Sequence, residues 1–149
     1  MEYRKLRENE ITAFVENRIE FVKIIQNLEE PEVFRRKTTD YIKKNINNDN
    51  LLIYIAVKDR EIISSCMMCI YETIPVPSNL NGKFGELLNV YTKKEYRRQG
   101  HAAKLIKLLI DEARKKGIGK INLSYTAGGY PLYKLLGFKK IDNQMEYRL

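Results

Sequence analysis

The apolar positions of this chain change period along its length, and each change marks an element. Met1 to Leu6 predicts a short first strand. From Ile11 the spacing turns helical: Ile11, Phe14, Val15, Val22 and Ile25 fall on one side, and the pattern runs to about Leu28. Asn9 is placed to cap that helix. Pro31 suits the first turn of a second helix with Val33, Phe34, Tyr41 and Ile42 as its stripe, and the polar run Asn45 to Asn50 ends it. Leu51 to Val57 is a continuous apolar strand of the kind covered on both faces. Lys58-Asp59-Arg60-Glu61 then turns it into a second strand, Ile62 to Tyr71, so the two form a hairpin. Thr73 to Lys83 holds two prolines, two asparagines and a glycine, and reads as a loop.

The stretch from Phe84 to Ala113 organises the rest. Phe84 to Thr92 carries Leu, Val, Tyr and Thr, which suit a half-buried pleated surface. After a polar connection that closes on Gly100, Ala102, Leu105, Leu109 and Ala113 recur at helical spacing, with Ile106 and Ile110 widening the stripe. Gly117 and Gly119 end the helix. Ile121, Leu123 and Tyr125 alternate along a strand from Lys120 to Thr126. Pro131 opens a short helix that Gly137 closes, and two closing strands fit Phe138 to Ile141 and Met145 to Leu149. Two helices, a hairpin, then strand–helix–strand–helix–strand imply an α/β sandwich around one mixed sheet. A length of 149 residues fits a single domain, residues 1–149, with one proper core.

Between the central strand and its helix stands Arg97-Arg98-Gln99-Gly100-His101-Ala102. Glycine and small residues let backbone N–H groups come close to a ligand. The first amides of a helix lack internal partners and sit at the positive end of its dipole. With two arginines beside it, this turn is a cradle for an anion. A basic turn opening a helix is also common without any ligand. The chain has neither G-x-x-x-x-G-K-[ST] nor G-x-G-x-x-G, so P-loop and dinucleotide fingerprints are excluded. The net charge of +8 suits nucleic acid, a membrane surface or an acidic small ligand, yet no aromatic-rich RNA-binding signature or zinc finger accompanies it. Cys66 and Cys69 spell C-x-x-C within a strand. Positions three apart point to opposite faces, so the thiols should not meet, and packing rather than metal or redox work is expected of them. No apolar leader follows Met1 and the longest apolar run is far short of a membrane span, so a cytoplasmic protein is expected.

Arg97-x-x-Gly100-x-Ala102 resembles the R/Q-x-x-G-x-G/A loop of the GCN5-related N-acetyltransferase (GNAT) family. Leu132-Tyr133-x-x-x-Gly137-Phe138 resembles the same family's closing motif, at the right separation, and the order of elements agrees over nearly the whole chain. The resemblance implies an α/β (α+β) fold with a mixed sheet of six or seven strands, a splayed central pair and four flanking helices. It implies transfer of acetyl from acetyl-coenzyme A, the acetyl-donor cosubstrate, to a primary amine, with no metal. It places Arg97, Arg98, Gln99, Gly100, His101, Ala102 and Ala103 at the pyrophosphate, with His101 flanking it. Backbone N–H groups of Val90, Tyr91 and Thr92 would face the cofactor, Val90 donating to the acetyl oxygen. From the residues alone those three are ordinary strand positions. Thr126 stands where many relatives have an asparagine touching the pantetheine arm, and Ala103 where many have a hydroxyl; both departures bear on affinity.

Amide formation has its own demands. An alkyl ammonium has a pKa near ~10 and must lose a proton before it attacks. Glu86 lies eleven residues before Arg97, an offset that resembles the base of the histone-acetylating branch, and it is a charge within an apolar strand. A glutamate merely solvated at the strand's end is the other reading. Tyr133 matches the tyrosine that the family places near the coenzyme sulfur as general acid; otherwise it is a core aromatic. The acceptor would be chosen by the first two helices and by loops such as Thr73 to Lys83. Dimerisation is common in the family. Two further readings stay open: a coenzyme-binding sensor without transfer, and a basic nucleic-acid binder supported by charge alone. Neither nucleic acid nor membrane is an expected partner.

Overall fold

The computed structural model describes residues 1–149. Five strands, β1 (Glu2–Lys5), β2 (Leu51–Lys58), β3 (Glu61–Glu72), β4 (Lys83–Thr92) and β5 (Lys120–Leu123), form one sheet in that order. Neighbours run antiparallel except β4 and β5, which are parallel and joined by a helix. The helices are α1 (Ile11–Ile25), α2 (Pro31–Asn45), α3 (His101–Lys115) and α4 (Tyr130–Leu135).

The alternation of β2 explains the layering. Leu51, Ile53 and Ile55 point to one face and bury against Phe14, Val15 and Ile19 of α1 and Ile42 of α2. Leu52, Tyr54 and Ala56 point to the other face, against Leu105, Ile106, Leu109 and Ala113 of α3. A strand covered on both faces has no room for polar alternation, which is why its sequence is continuously apolar. The two cysteines follow the same rule: Cys66 is buried on the α3 side and Cys69 packs toward α1 and α2. α3 stops where Gly117, at φ +74°, turns left-handed and lets Ile118 N–H reach back to Ala113 O at 3.0 Å.

Three expectations are corrected. Asn9 does not cap α1: residues Glu8–Glu10 form a 3₁₀ turn, and the Glu10 carboxylate instead accepts the Arg7 N–H at 2.9 Å while Arg4 grips it from the side. α1 also ends at Ile25, short of Leu28. The sheet has five strands, not six or seven, because Phe138–Ile141 and Met145–Leu149 pair with nothing. The outer strands, β1 and β5, are each only four residues long, and Met145 and Leu149 lie fully exposed. An alternating pattern makes a strand only where a partner of matching length exists. No helix is long and apolar enough to cross a membrane.

Leu109 has no exposed surface and fills the centre of the α3 layer. Leu109→Ala should lower unfolding free energy by about 2–5 kcal/mol, read as a lower denaturant midpoint at unchanged slope.

Candidate active site

β4 and β5 pair only from Phe84–Lys120 to Leu87–Leu123. Beyond that pair β4 continues for five residues, Leu88 to Thr92, with no strand neighbour on the β5 side. The sheet is therefore split at the carboxyl ends of two parallel strands. A cavity of about 820 Å³ fills the split, bounded by α1, the exposed edge of β4, the start of α3, and α4.

The start of α3 is built as the sequence predicts. Gly100 is the residue before the first helical turn and sits at φ +83°, a conformation that costs any residue with a Cβ. A Cβ there would meet no protein atom, so the glycine is needed for its backbone angle and leaves the approach to the helix amides open. Arg98 is left-handed as well, at φ +61°. The Arg97 Nε–H donates to the Thr92 carbonyl at 2.9 Å, tying the loop to the end of β4. Arg97, Arg98, Gly100, His101, Ala102 and Ala103 all line the cavity, together with Val90, Tyr91, Thr92, Thr126 and Tyr133. An anion seated there would meet unpaired helix N–H groups and two guanidinium groups, so a pyrophosphate fits the cradle.

A split between parallel strands facing a left-handed glycine at a helix start decides the comparison. The Acetyltransferase (GNAT) family matches residues 19–138. This chain belongs to the GNAT acetyltransferase family. No curated protein matches the sequence. Among solved structures it is similar to a predicted acetyltransferase with acetyl-CoA from Clostridium acetobutylicum, at 28% identity and a TM-score of 0.89, covering 99% of this chain and 95% of that one. A GCN5-related N-acetyltransferase from Ralstonia eutropha has a TM-score of 0.89 at 19% identity, over 99% and 97% of the two chains. An aminoglycoside N-acetyltransferase in complex with CoA shares the fold at a TM-score of 0.78 and 15% identity, over 99% and 93%.

Within this GNAT frame, the expected residues differ in what they present to the cavity. His101 is buried, with its Nδ1 2.7 Å from the Tyr3 hydroxyl and its Nε2 enclosed without a partner. Its ring fills a slot between Tyr3 and Tyr96, so neither nitrogen is open to an anion and only its backbone remains for the cradle. Gln99 turns back toward the Glu95 carbonyl and does not line the cavity. No residue of the Thr73–Lys83 loop lines it either: Asn79 and Asn81 bond Lys83 O and Gly117 O, holding the loop near the opposite ends of β4 and α3. Tyr133 lines the cavity, and burial pushes its hydroxyl up to about 12. Glu86 is half-buried and burial raises its carboxyl, with no cation offsetting the shift. It lies outside the cavity wall, on the same face of β4 as Leu88 and roughly 7 Å further down the strand.

The sequence reading missed a polar chain beneath the split. β4 pairs Tyr91 with Ser65 and Leu88 with Met67, so Asn89 and Val90 together oppose one residue and the strand bulges. Asn89 sits at φ +55°, which asparagine tolerates better than most residues. Its amide donates to Ser65 Oγ at 2.9 Å and its oxygen accepts from Arg18 Nη1 at 3.1 Å, while Ser65 Oγ donates to Asn17 Oδ1 at 2.7 Å. Asn17, Ser65 and Asn89 are all buried. Their one visible signal was polar side chains among apolar neighbours. Asn89→Gly keeps the left-handed angle but strands its partners, at a cost of about 1–3 kcal/mol. Asn89→Val should lose ~1–2 kcal/mol more, because a side chain branched at Cβ also strains the bulge. Chemical denaturation of the two variants checks the order.

Proposed function

We propose that the protein is an N-acetyltransferase that moves acetyl from acetyl-coenzyme A to a primary amine by direct transfer. The observation that carries this reading is the split between β4 and β5 opening onto the left-handed Gly100 at the start of α3. When bound, the coenzyme supplies an activated thioester acyl group. The amides at Arg98 to Ala103 would hold its pyrophosphate, with the Arg97 and Arg98 charges beside them. The Val90 N–H, on the unpaired edge of β4, would donate to the acetyl oxygen as negative charge grows there. Tyr133 is protonated at neutral pH, because its hydroxyl titrates only near 12. It is thus in the right state to donate toward the departing sulfur. Glu86 would take the ammonium proton through water, since its carboxyl does not reach the cavity wall.

A coenzyme-binding module without transfer is the second reading, and the cavity wall favours it in one respect: neither aspartate nor glutamate lines it. Release of free thiol from acetyl-coenzyme A, followed across a panel of amines, separates the two readings.

Three outcomes are expected. Gly100→Val should weaken coenzyme A binding about tenfold by calorimetry, since strain at the left-handed position costs ~1–2 kcal/mol; unchanged affinity would remove the cradle. Tyr133→Phe should keep coenzyme affinity and lose about 10²–10⁴-fold in kcat. For Glu86, the base works ionised and burial raises its pKa, so the acid limb of kcat/KM should lie above the ordinary carboxylate range. Activity should fall as pH drops through that limb. Glu86→Gln should abolish the limb, and an unmoved profile would assign the proton to another group.

A further inference from the structure

Arg18 is the charged residue of the cavity that cofactor binding does not use. It projects from α1 and is bonded to β4 rather than to the α3 loop, and burial disfavours its charge. No carboxylate pairs with it. Its Nη1 donates to Asn89 Oδ1 at 3.1 Å, and its guanidinium lies over the Phe34 ring at 5.4 Å. A guanidinium has five N–H donors in a rigid fork. One is held by Asn89, the only side chain that Arg18 hydrogen-bonds, and Arg18 is part of the cavity wall. An unpaired cation in such a place is costly to keep and needs a partner.

The rest of the wall sharpens the chemistry. The cavity is lined by three arginines, Arg18, Arg97 and Arg98, and by no aspartate or glutamate. A polyamine or an aminoglycoside carries several ammonium groups. Only one is consumed by transfer, and the others would meet Arg18 with no carboxylate to receive them. An acceptor with one amine and one anionic group meets complementary charge instead. Asn89, which holds Arg18, is the chain neighbour of Val90, so the guanidinium is anchored beside the strand edge proposed to face the acetyl group.

Building on the acetyltransferase reading, we propose that the acceptor is a small primary amine bearing an oxyanion, in the first instance a free amino acid, whose carboxylate is gripped by Arg18. The fork binds the two oxygens side by side. With its charge neutralised, the acceptor lies along β4 and presents its amine toward the acetyl carbon above Val90.

The test compares amines that differ only in the anion: an amino acid against its carboxamide, and an amino sugar phosphate against the unphosphorylated sugar. Thiol release gives kcat/KM for each pair. The wild type should prefer the anionic member by about ten- to hundredfold, the worth of hydrogen bonds to a charged group. Arg18→Gln should bring that ratio near one, and Arg18→Lys should keep part of it, since charge remains while the fork is lost. Preference for the phosphate pair alone would assign the site to phosphorylated amines and overturn the amino-acid assignment. A ratio unchanged in Arg18→Gln, or faster turnover of polyamines than of amino acids, would overturn the proposal itself. Calorimetry of the same pairs into coenzyme A-loaded protein reads the site without turnover. Arg18-dependent binding of the acid with no thiol release would sink the transfer reading and leave the anion site standing. Absence of binding to either member of each pair would sink the anion site.

Discussion

Two parallel strands that stop pairing partway along are unstable unless something else holds their edges apart. Here β4 and β5 part after Leu87–Leu123, and what holds them is the bulge at Asn89 and Val90 on one side and the packing of α3 and α4 on the other. A bulge bends its strand and raises the local twist. Asn89 fixes that bend by taking the left-handed angle itself and bonding Ser65 and Arg18 with both ends of its amide. Removing the bulge would let β4 run straight along β5 and close the space in which a ligand could lie.

The same polar chain ties α1 to the sheet. Asn17 and Arg18 are adjacent on α1, Ser65 lies on β3 and Asn89 on β4. Buried polar groups are costly unless bonded, and of the buried members of this chain only Asn17 Nδ2 lacks a partner, so the chain favours one arrangement of α1 over the sheet. It also decides the electrostatics. With Glu20 receiving the Tyr91 hydroxyl at 2.9 Å and Glu16 paired with Arg35, both carboxylates of α1 are engaged by other side chains. The charged side chains that line the cavity are arginines alone.

Most of the fold was legible because burial writes its period into the chain. The two-faced strand Leu51–Lys58, the stripe of α3 and the left-handed turn at Gly100 follow from spacing and from glycine's freedom. The misses have physical causes. Met145 to Leu149 alternates like a strand, but pairing is a property of two segments, and β5 offers four residues. Asn89 was hidden because one asparagine in a strand looks the same whether it bulges or lies flat. The burial of the His101 ring was hidden because its slot between Tyr3 and Tyr96 is assembled from distant parts of the chain. Arg18 could have been found: it follows Ile11, Phe14 and Val15 at the spacing of the buried stripe, and a charge on that stripe is not a solvated one.

The taper of the sheet has a consequence for how the molecule behaves among its own copies. The three central strands are 8, 12 and 10 residues long, while the two outer strands, β1 and β5, have four each. An outer strand is a row of unsatisfied backbone groups on which another chain can add, and the hazard grows with the length of the row. Short outer strands therefore guard the long, apolar interior strands against fibril-like stacking. The unpaired C-terminal segment follows the same logic. Glu146 and Arg148 separate Met145, Tyr147 and Leu149, so the one exposed alternating stretch carries its own charged gatekeepers.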